Sequence, residues 1–182
     1  MLVLENHAAQ VARWPQRGRH VMAQFDESSI VVYQAYRPSI GHAAVRDQRF
    51  GGGGWSFDRM SWIKPNFLWM MYRCGWALKE GQEVVLAITL ARAFFDGVVA
   101  RAATNGPGDV RLQWDPDHAP SGRPVERRAI QLGLRGAALR EYATPIAIED
   151  ITTLVAAQRE HRASDALMTP REDVYPITAP DL

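Results

Sequence analysis

Three stretches of the chain have the clearest hydrophobic patterns, and each predicts one element of secondary structure. Residues 83–90, EVVLAITL, form a continuous apolar run that is typical of a strand. Residues 28–36, SSIVVYQAY, are rich in β-branched and aromatic side chains and predict a buried strand. Residues 66–78 predict a helix, because Pro65 suits a first helical turn and Gly81 follows the last apolar positions.

The remaining elements are shorter and follow one another in a mixed order. The pattern predicts extended segments or short strands at 57–64, 110–114, 126–134 and 146–148, helices at 40–48, 91–103, 136–142 and 152–161, and a loop at 116–125. This irregular order favours an α+β or an irregular α/β domain with a mixed sheet. Residues 1–25 predict a loosely structured lead-in, residues 26–172 a single globular domain, and residues 173–182 a tail that contains proline.

Composition and charge exclude several classes of protein. Hydrophobic residues make up 47% of the chain and charged residues 23%, so a chain of 182 residues should bury an ordinary core. The net charge of +1 requires neither a nucleic acid nor a membrane surface as partner. A single cysteine, Cys74, excludes an internal disulfide, and the five histidines lack metal-ligand spacing, so we expect no metal. The most apolar stretch, 60–78, is interrupted by charged residues and proline, which favours a soluble, cytoplasmic protein.

The densest chemistry lies in residues 58–76, DRMSWIKPNFLWMMYRCGW. Here Arg59, Lys64 and Arg73 stand among large apolar side chains. A buried cation must be paired or must face a ligand, and cations beside indole rings suit a planar anion such as a nucleotide. The alternative is that the aromatic residues form core while the long cationic side chains reach solvent.

Two predicted strands add further polar candidates. On the first strand, alternation places Gln34 and Tyr36 on one face and Arg37 on the other. On the strand at 126–134, alternation separates Gln131 from Arg128 in the same way. An amide among apolar residues needs hydrogen-bond partners, so Gln131 is either a structural amide or a group that contacts a ligand.

Four segments of this sequence resemble one family. They are VYQAY at 32–36, the long motif at 58–76, QWDP at 113–116 and RAIQLGL at 128–134. In these segments, and over roughly residues 20–175, the chain resembles the domain of unknown function 4291 family. The family's name implies no activity, so this resemblance alone predicts membership rather than function.

The order of elements is also similar to that of the ADP-ribosyltransferase fold, which splits NAD in a cleft between two small sheets. This resemblance implies an α+β domain with mixed or antiparallel sheets and a central cleft flanked by short helices. It implies NAD as cofactor, an indole that stacks on the nicotinamide, and cations that hold the pyrophosphate. A glutamate is expected late in the sheet, where this chain has Gln131 with Glu126 before it. The implied catalytic residues are Arg37, Tyr36, Gln131 and Glu126, with Ser61 or Tyr72 in a second role, and the implied ligand-binding residues are Gln34, Arg59, Trp62, Lys64, Trp69, Tyr72, Arg73 and Arg128.

We therefore expect a nucleotide-binding protein, and the enzyme hypothesis is NAD-dependent ADP-ribosyl transfer onto a nucleotide, a nucleic acid or a protein. The alternative hypothesis is a non-catalytic module that holds single-stranded nucleic acid on an aromatic and cationic surface. The expected partner is a nucleotide or other small molecule, or a nucleic acid, and not a membrane.

Overall fold

Residues 2–177, which the computed structural model describes, contain eleven strands and six helices. The strands are β1 (Leu4–Asn6), β2 (Gly18–Arg19), β3 (Met22–Ala23), β4 (Ser29–Tyr36), β5 (Ser61–Ile63), β6 (Val84–Ala91), β7 (Val110–His118), β8 (Pro124–Leu134), β9 (Ala147–Asp150), β10 (Met168–Pro170) and β11 (Asp173–Val174). The helices are α1 (His7–Val11), α2 (Pro38–Asp47), α3 (Phe67–Cys74), α4 (Arg92–Ala100), α5 (Gly136–Tyr142) and α6 (Thr152–Arg159). This mixture of helices with antiparallel and mixed sheets confirms the α+β class.

Two sheets form the centre of the molecule. In the first, β6 lies between β4 and β9 and pairs with both in antiparallel fashion. In the second, β8 pairs antiparallel with β5 and β7 and parallel with the short β2. A bridge joins the two sheets, because the Tyr33 amide donates to the Lys64 carbonyl at 2.7 Å. The residue that follows β5 is therefore held against the middle of β4.

The core lies on both faces of the first sheet. One apolar cluster contains Leu86 and Ile88 of β6 together with residues of α4, α5 and the β7–β8 pair. A second cluster on the other face contains Val85 and Ala87 with residues of α3 and α6. Because β6 is covered on both faces, its sequence is a continuous apolar run rather than an alternating one.

Several predicted elements end at other positions than expected. Helix α3 ends at Cys74 rather than at residue 78, because Gly75 adopts a left-handed conformation with φ 58° and caps the helix. The loop expected at 116–125 is wrong at both ends, since β7 continues to His118 and β8 begins at Pro124. At this end β7 is an edge strand with a register shift between Pro116 and His118, and an edge tolerates a proline that lacks an N–H.

The expectation of a loose lead-in is also wrong for the described part of residues 1–25. Strand β1 pairs with β10, and β3 pairs with β11. The buried Gln10 side chain accepts from the Glu172 amide at 2.8 Å, and the Trp14 indole donates to the Glu172 carbonyl at 2.7 Å. The expected tail at 173–182 likewise begins with a paired strand and the buried Tyr175, and its residues 178–182 lie outside the described range.

None of the helices within residues 2–177 is long and apolar enough to cross a membrane.

Candidate functional site

A cleft of about 680 Å³ opens where the end of β4 meets β5 and the β7–β8 pair. The end of strand β4 and the residue after it contribute residues 34–37. The segment that leads into β5, β5 itself and the residue after it contribute eight residues between 54 and 64. Helix α3 adds Met70 and Arg73, while β7 and β8 add Gln113 and Gln131. The bridge between Tyr33 and Lys64 fixes this geometry, because it holds the two sheets together at the base of the cleft.

Nine of the thirteen residues that the sequence singled out line this cleft, and Ser61 is one of them. The other eight are Gln34, Tyr36, Arg37, Arg59, Trp62, Lys64, Arg73 and Gln131. These residues come from three separate parts of the chain, and their side chains meet only because the two sheets are joined. The fold therefore brings most of the candidate residues to one place.

The other four candidates lie elsewhere. Trp69 is buried and stacks on His118. Tyr72 is 49% exposed and stacks on the same histidine ring, with the two ring centroids 3.6 Å apart. Neither Trp69 nor Tyr72 is among the residues that line the cleft. Glu126 and Arg128 are exposed and alternate along β8 with the face that presents Gln131. The carboxylate expected from the ADP-ribosyltransferase layout is thus not among the groups that line the cleft.

The amide of Gln34 is the centre of a buried polar network. Its Nε2 group donates to Ser61 Oγ at 2.8 Å and to the Trp62 carbonyl at 2.9 Å. Its Oε1 atom accepts from the Tyr36 hydroxyl at 2.8 Å and from the Tyr142 hydroxyl at 2.6 Å. An amide has two donors and two acceptor lone pairs, so the hydrogen-bonding capacity of Gln34 is full. Gln34 therefore positions its neighbours and has no free group for a ligand, contrary to its expected role.

Aromatic residues that the sequence did not identify as site residues support this network. The Trp55 indole donates to the Tyr36 hydroxyl at 3.1 Å. The Phe50 ring stacks between Trp55 and Tyr142, with centroids 5.3 Å and 5.2 Å apart. Burial raises the pKa of Tyr36, so its phenol keeps its proton at neutral pH and serves as a donor to Gln34.

Lys64 is a buried cation without a charged partner. Only 4% of the residue is exposed, and it lines the cleft. Among residues 2–177 its ammonium makes one hydrogen bond, to the Trp62 carbonyl at 3.4 Å, and has no carboxylate within ion-pair distance. Burial and, to a lesser extent, the nearby Arg73 charge together lower the pKa of Lys64 from 10.5 to about 8, while Asp115 opposes the shift. The side chain is therefore charged at neutral pH despite its burial.

Three arginines add positive charge around the same cleft. Arg37, Arg59 and Arg73 are exposed, and their side chains make no hydrogen bond or ion pair within the described chain. The Arg37 guanidinium lies so close to Gly54 that a Cβ there would be 2.6 Å from Nη2, and Gly54 has φ +89°. Only glycine suits that position. With Lys64, four unpaired cations surround the cleft, and no carboxylate is among its described lining residues.

The β7–β8 pair supplies a polar wall opposite these cations. Gln131 Nε2 donates to Gln113 Oε1 at 2.9 Å and to Asp115 Oδ2 at 2.7 Å. Asp115 is half-buried and lies behind Gln131. A Cβ at Gly133 would be 3.0 Å from Trp62 Cε2, so the Trp62 indole lies directly on the bare backbone of β8. Within residues 2–177 no group of three or more His, Cys, Asp or Glu side chains has a geometry suited to a metal ion.

The fold and the cleft together define an α+β domain with a cation-lined cleft between two sheets. The chain belongs to the family described as Domain of unknown function (DUF4291), whose model matches residues 20–175. The match includes every residue that lines the cleft, and it confirms the resemblance indicated by the four sequence segments. No curated protein and no solved structure matches the chain. The layout resemblance to ADP-ribosyltransferases stays a prediction.

Proposed function

We propose that this protein binds a nucleotide in the cleft and holds it through its phosphates. A volume of about 680 Å³ lies within the range of small-molecule sites. Arginine side chains pair with phosphate oxygens through planar, bidentate hydrogen bonds, and Arg37 and Arg59 have no competing partner within the described chain. The half-buried Trp62 ring offers a flat surface for a base or another planar group.

The observation that supports this proposal most strongly is the unpaired ammonium of Lys64. Removal of a charge from water is costly unless another charge or several hydrogen bonds compensate for it. The single hydrogen bond of 3.4 Å to Trp62 compensates for little of this cost. A phosphate in the cleft would supply the missing negative charge.

The experiment is a thermal-shift titration with NAD, ADP-ribose, AMP and a short single-stranded RNA at two salt concentrations. A ligand at a hundred times its Kd stabilises the folded state by about 2.7 kcal/mol, which raises Tm by roughly 5–11 °C for a domain of this size. We expect such a shift with nucleotides and only a moderate effect of salt. If none of the nucleotides shifts Tm at low salt, the proposal is wrong.

A second candidate function is NAD-dependent ADP-ribosyl transfer, which the pair formed by Asp115 and Gln131 favours. In this reaction the bond between nicotinamide and ribose C1′ breaks, and nicotinamide leaves with the electron pair. The oxygen or nitrogen of an acceptor O–H or N–H group then bonds to C1′, and the proton of that group is released to solvent. A carboxylate stabilises the positive charge that develops on the ribose. Asp115 does not line the cleft itself, but it accepts at 2.7 Å from Gln131 Nε2, which does, whereas Glu126 is exposed on the other face of β8. Release of nicotinamide that Asp115→Asn abolishes and Glu126→Gln retains would support this candidate.

The binding of single-stranded nucleic acid remains the alternative proposal. The exposed Tyr72 ring, supported from behind by His118 at 3.6 Å, offers a face on which a base could stack. This alternative predicts a shift with RNA alone and a steep loss of affinity with salt, since each neutralised phosphate releases counterions.

A further inference from the structure

The hydrogen bonds around Gln34 determine whether the Ser61 hydroxyl can donate a hydrogen bond to a ligand. The single protons of Tyr36 and Tyr142 are both donated to Gln34 Oε1. Ser61 Oγ accepts a proton from Gln34 Nε2 at 2.8 Å. Because the Tyr36 proton goes to Gln34, the Ser61 hydroxyl is the donor in its contact of 3.1 Å with Tyr36 Oη. This contact is long for two hydroxyls, so an acceptor that enters the cleft can replace Tyr36 as the partner of the Ser61 proton. Ser61 lines the cleft and can donate to an acceptor that enters it.

The Trp62 carbonyl connects the surroundings of Ser61 to Lys64. Gln34 Nε2, which holds Ser61, also donates to the Trp62 carbonyl, and Lys64 Nζ makes its only hydrogen bond among residues 2–177 to that oxygen. Arg73 lines the cleft as well, and its charge acts on Lys64. A hydroxyl donor and two cations therefore share one end of the cleft, which we call the anion-binding subsite (Ser61, Lys64, Arg73).

The nearest negative charge does not neutralise this subsite. Asp115 is hydrogen-bonded to Gln131 at 2.7 Å and forms no ion pair with Lys64 or Arg73. Two positive charges and a neutral donor suit a group with two negative charges and three terminal oxygens. A phosphodiester offers one charge and two such oxygens, and a nicotinamide ring offers a positive charge.

We infer that this anion-binding subsite takes the terminal phosphate of a nucleotide, a phosphoryl group with two negative charges and three terminal oxygens. This inference rests on the nucleotide binding proposed above and names the class of nucleotide: one that ends in a free phosphate. It differs from the NAD-dependent candidate, because NAD presents two phosphodiester-like groups and a cationic ring. The comparison of matched ligands therefore decides between the two.

The test is calorimetric titration with ADP, ADP-ribose and NAD at neutral pH and low salt. ADP and ADP-ribose share the same pyrophosphate, but in ADP-ribose a ribose caps the terminal phosphate. We expect ADP to bind at least about tenfold more tightly than ADP-ribose, and NAD to bind most weakly. In Ser61→Ala the affinity for ADP should fall several-fold, while Lys79→Met, at the only other lysine of the chain, should change nothing.

The outcomes separate this inference from the broader proposal. Equal or tighter binding of ADP-ribose or NAD overturns the assignment of the anion-binding subsite to a terminal phosphate and leaves the proposal of nucleotide binding in place. Absence of binding by all three ligands overturns both. Because the comparison of ligands uses the natural chain, it does not depend on the folding of any variant. Competition of inorganic phosphate with ADP, weakened by Ser61→Ala, would assign the effect to the phosphate rather than to the adenine.

Discussion

Within residues 2–177 two lysine or arginine side chains, Arg127 and Lys64, are buried, and their surroundings differ. Arg127, 6% exposed, donates from Nε to Asp117 Oδ2 at 2.7 Å and from Nη1 to the Pro15 carbonyl at 2.9 Å. Its guanidinium also lies 4.9 Å from the centre of the Trp14 ring. Lys64, 4% exposed, has one hydrogen bond of 3.4 Å among the described residues. Arg127 is thus compensated on every side, whereas Lys64 is not.

This difference distinguishes a charge that stabilises the fold, Arg127, from a charge that is available to bind a ligand, Lys64. Arg127 joins the segment that contains Trp14 and Pro15 to the β7–β8 pair, so its interactions contribute to the fold. Lys64 is buried with little compensation and lines a cleft that contains other unpaired cations, so we expect it to lower the stability of the fold. Functional sites commonly retain groups that destabilise the folded state, because a ligand supplies the missing interaction.

The largest effect is expected from Arg127→Met. This change leaves the buried Asp117 carboxylate without its partner, so the free energy of unfolding should fall by about 3–5 kcal/mol. Urea denaturation measures the loss. Arg128→Met is the matched control, since this adjacent arginine is exposed and should change stability by no more than about 0.5 kcal/mol. Similar stabilities of the two variants would contradict a structural role for Arg127.

The second effect has the opposite sign. Lys64→Met removes a buried charge whose pKa is lowered from 10.5 to about 8, and each pKa unit corresponds to about 1.4 kcal/mol. The free energy of unfolding at pH 7 should therefore rise by about 3 kcal/mol, or Tm by roughly 6–12 °C. The exposed Lys79→Met should have no effect. A loss of stability in Lys64→Met would mean that the ammonium stabilises the fold.

The third prediction concerns pH. Below about pH 8 the Lys64 amine is protonated in both the folded and the unfolded state, so the full cost of burial is present. Between about pH 8 and 10.5 the unfolded state binds more protons than the folded state, so this contribution to stability improves as pH rises. The advantage of Lys64→Met over the natural chain should shrink across this range. Urea denaturation at pH 7, 9 and 10.5 measures it, and a constant difference would contradict the lowered pKa.

The smallest effects on stability are expected from Arg59→Gln and Arg73→Gln. Both arginines are exposed and unpaired in the described chain, so the free energy of unfolding should change by no more than about 0.5 kcal/mol. Each variant should nevertheless weaken nucleotide binding and make it less sensitive to salt. Glu126→Gln and Arg128→Gln, outside the cleft, should alter neither property. Unchanged nucleotide affinity in both variants would show that Arg59 and Arg73 do not bind the nucleotide.

The sequence predicted the central elements well because their signals are local. The apolar run of β6 and the composition of β4 indicate strands directly, and helix α5 has the bounds expected at 136–142. Of the three cations in the 58–76 motif, Lys64 is buried, whereas Arg59 and Arg73 are exposed, as the alternative of side chains that reach solvent predicts. Alternation along β8 separated Gln131 from Arg128 and Glu126, but it did not reveal which face lines the cleft.

The missed features depend on contacts between distant parts of the chain. Gln34 meets Ser61 and Tyr142, which lie 27 and 108 positions away, and no local pattern encodes these pairings. The N-terminal segment is held by Gln10 and Trp14 through hydrogen bonds to residue 172. Single polar residues of this kind have no periodicity, so the sequence alone suggested a loose segment there.

The most direct test of the account is the thermal unfolding of the natural chain and of Lys64→Met, each with and without ADP. If the Lys64 ammonium lowers stability and binds the phosphate of a ligand, the variant melts at a higher temperature than the natural chain and loses most of the shift caused by ADP. A variant that melts at a lower temperature and keeps the full ADP shift would contradict this role of Lys64.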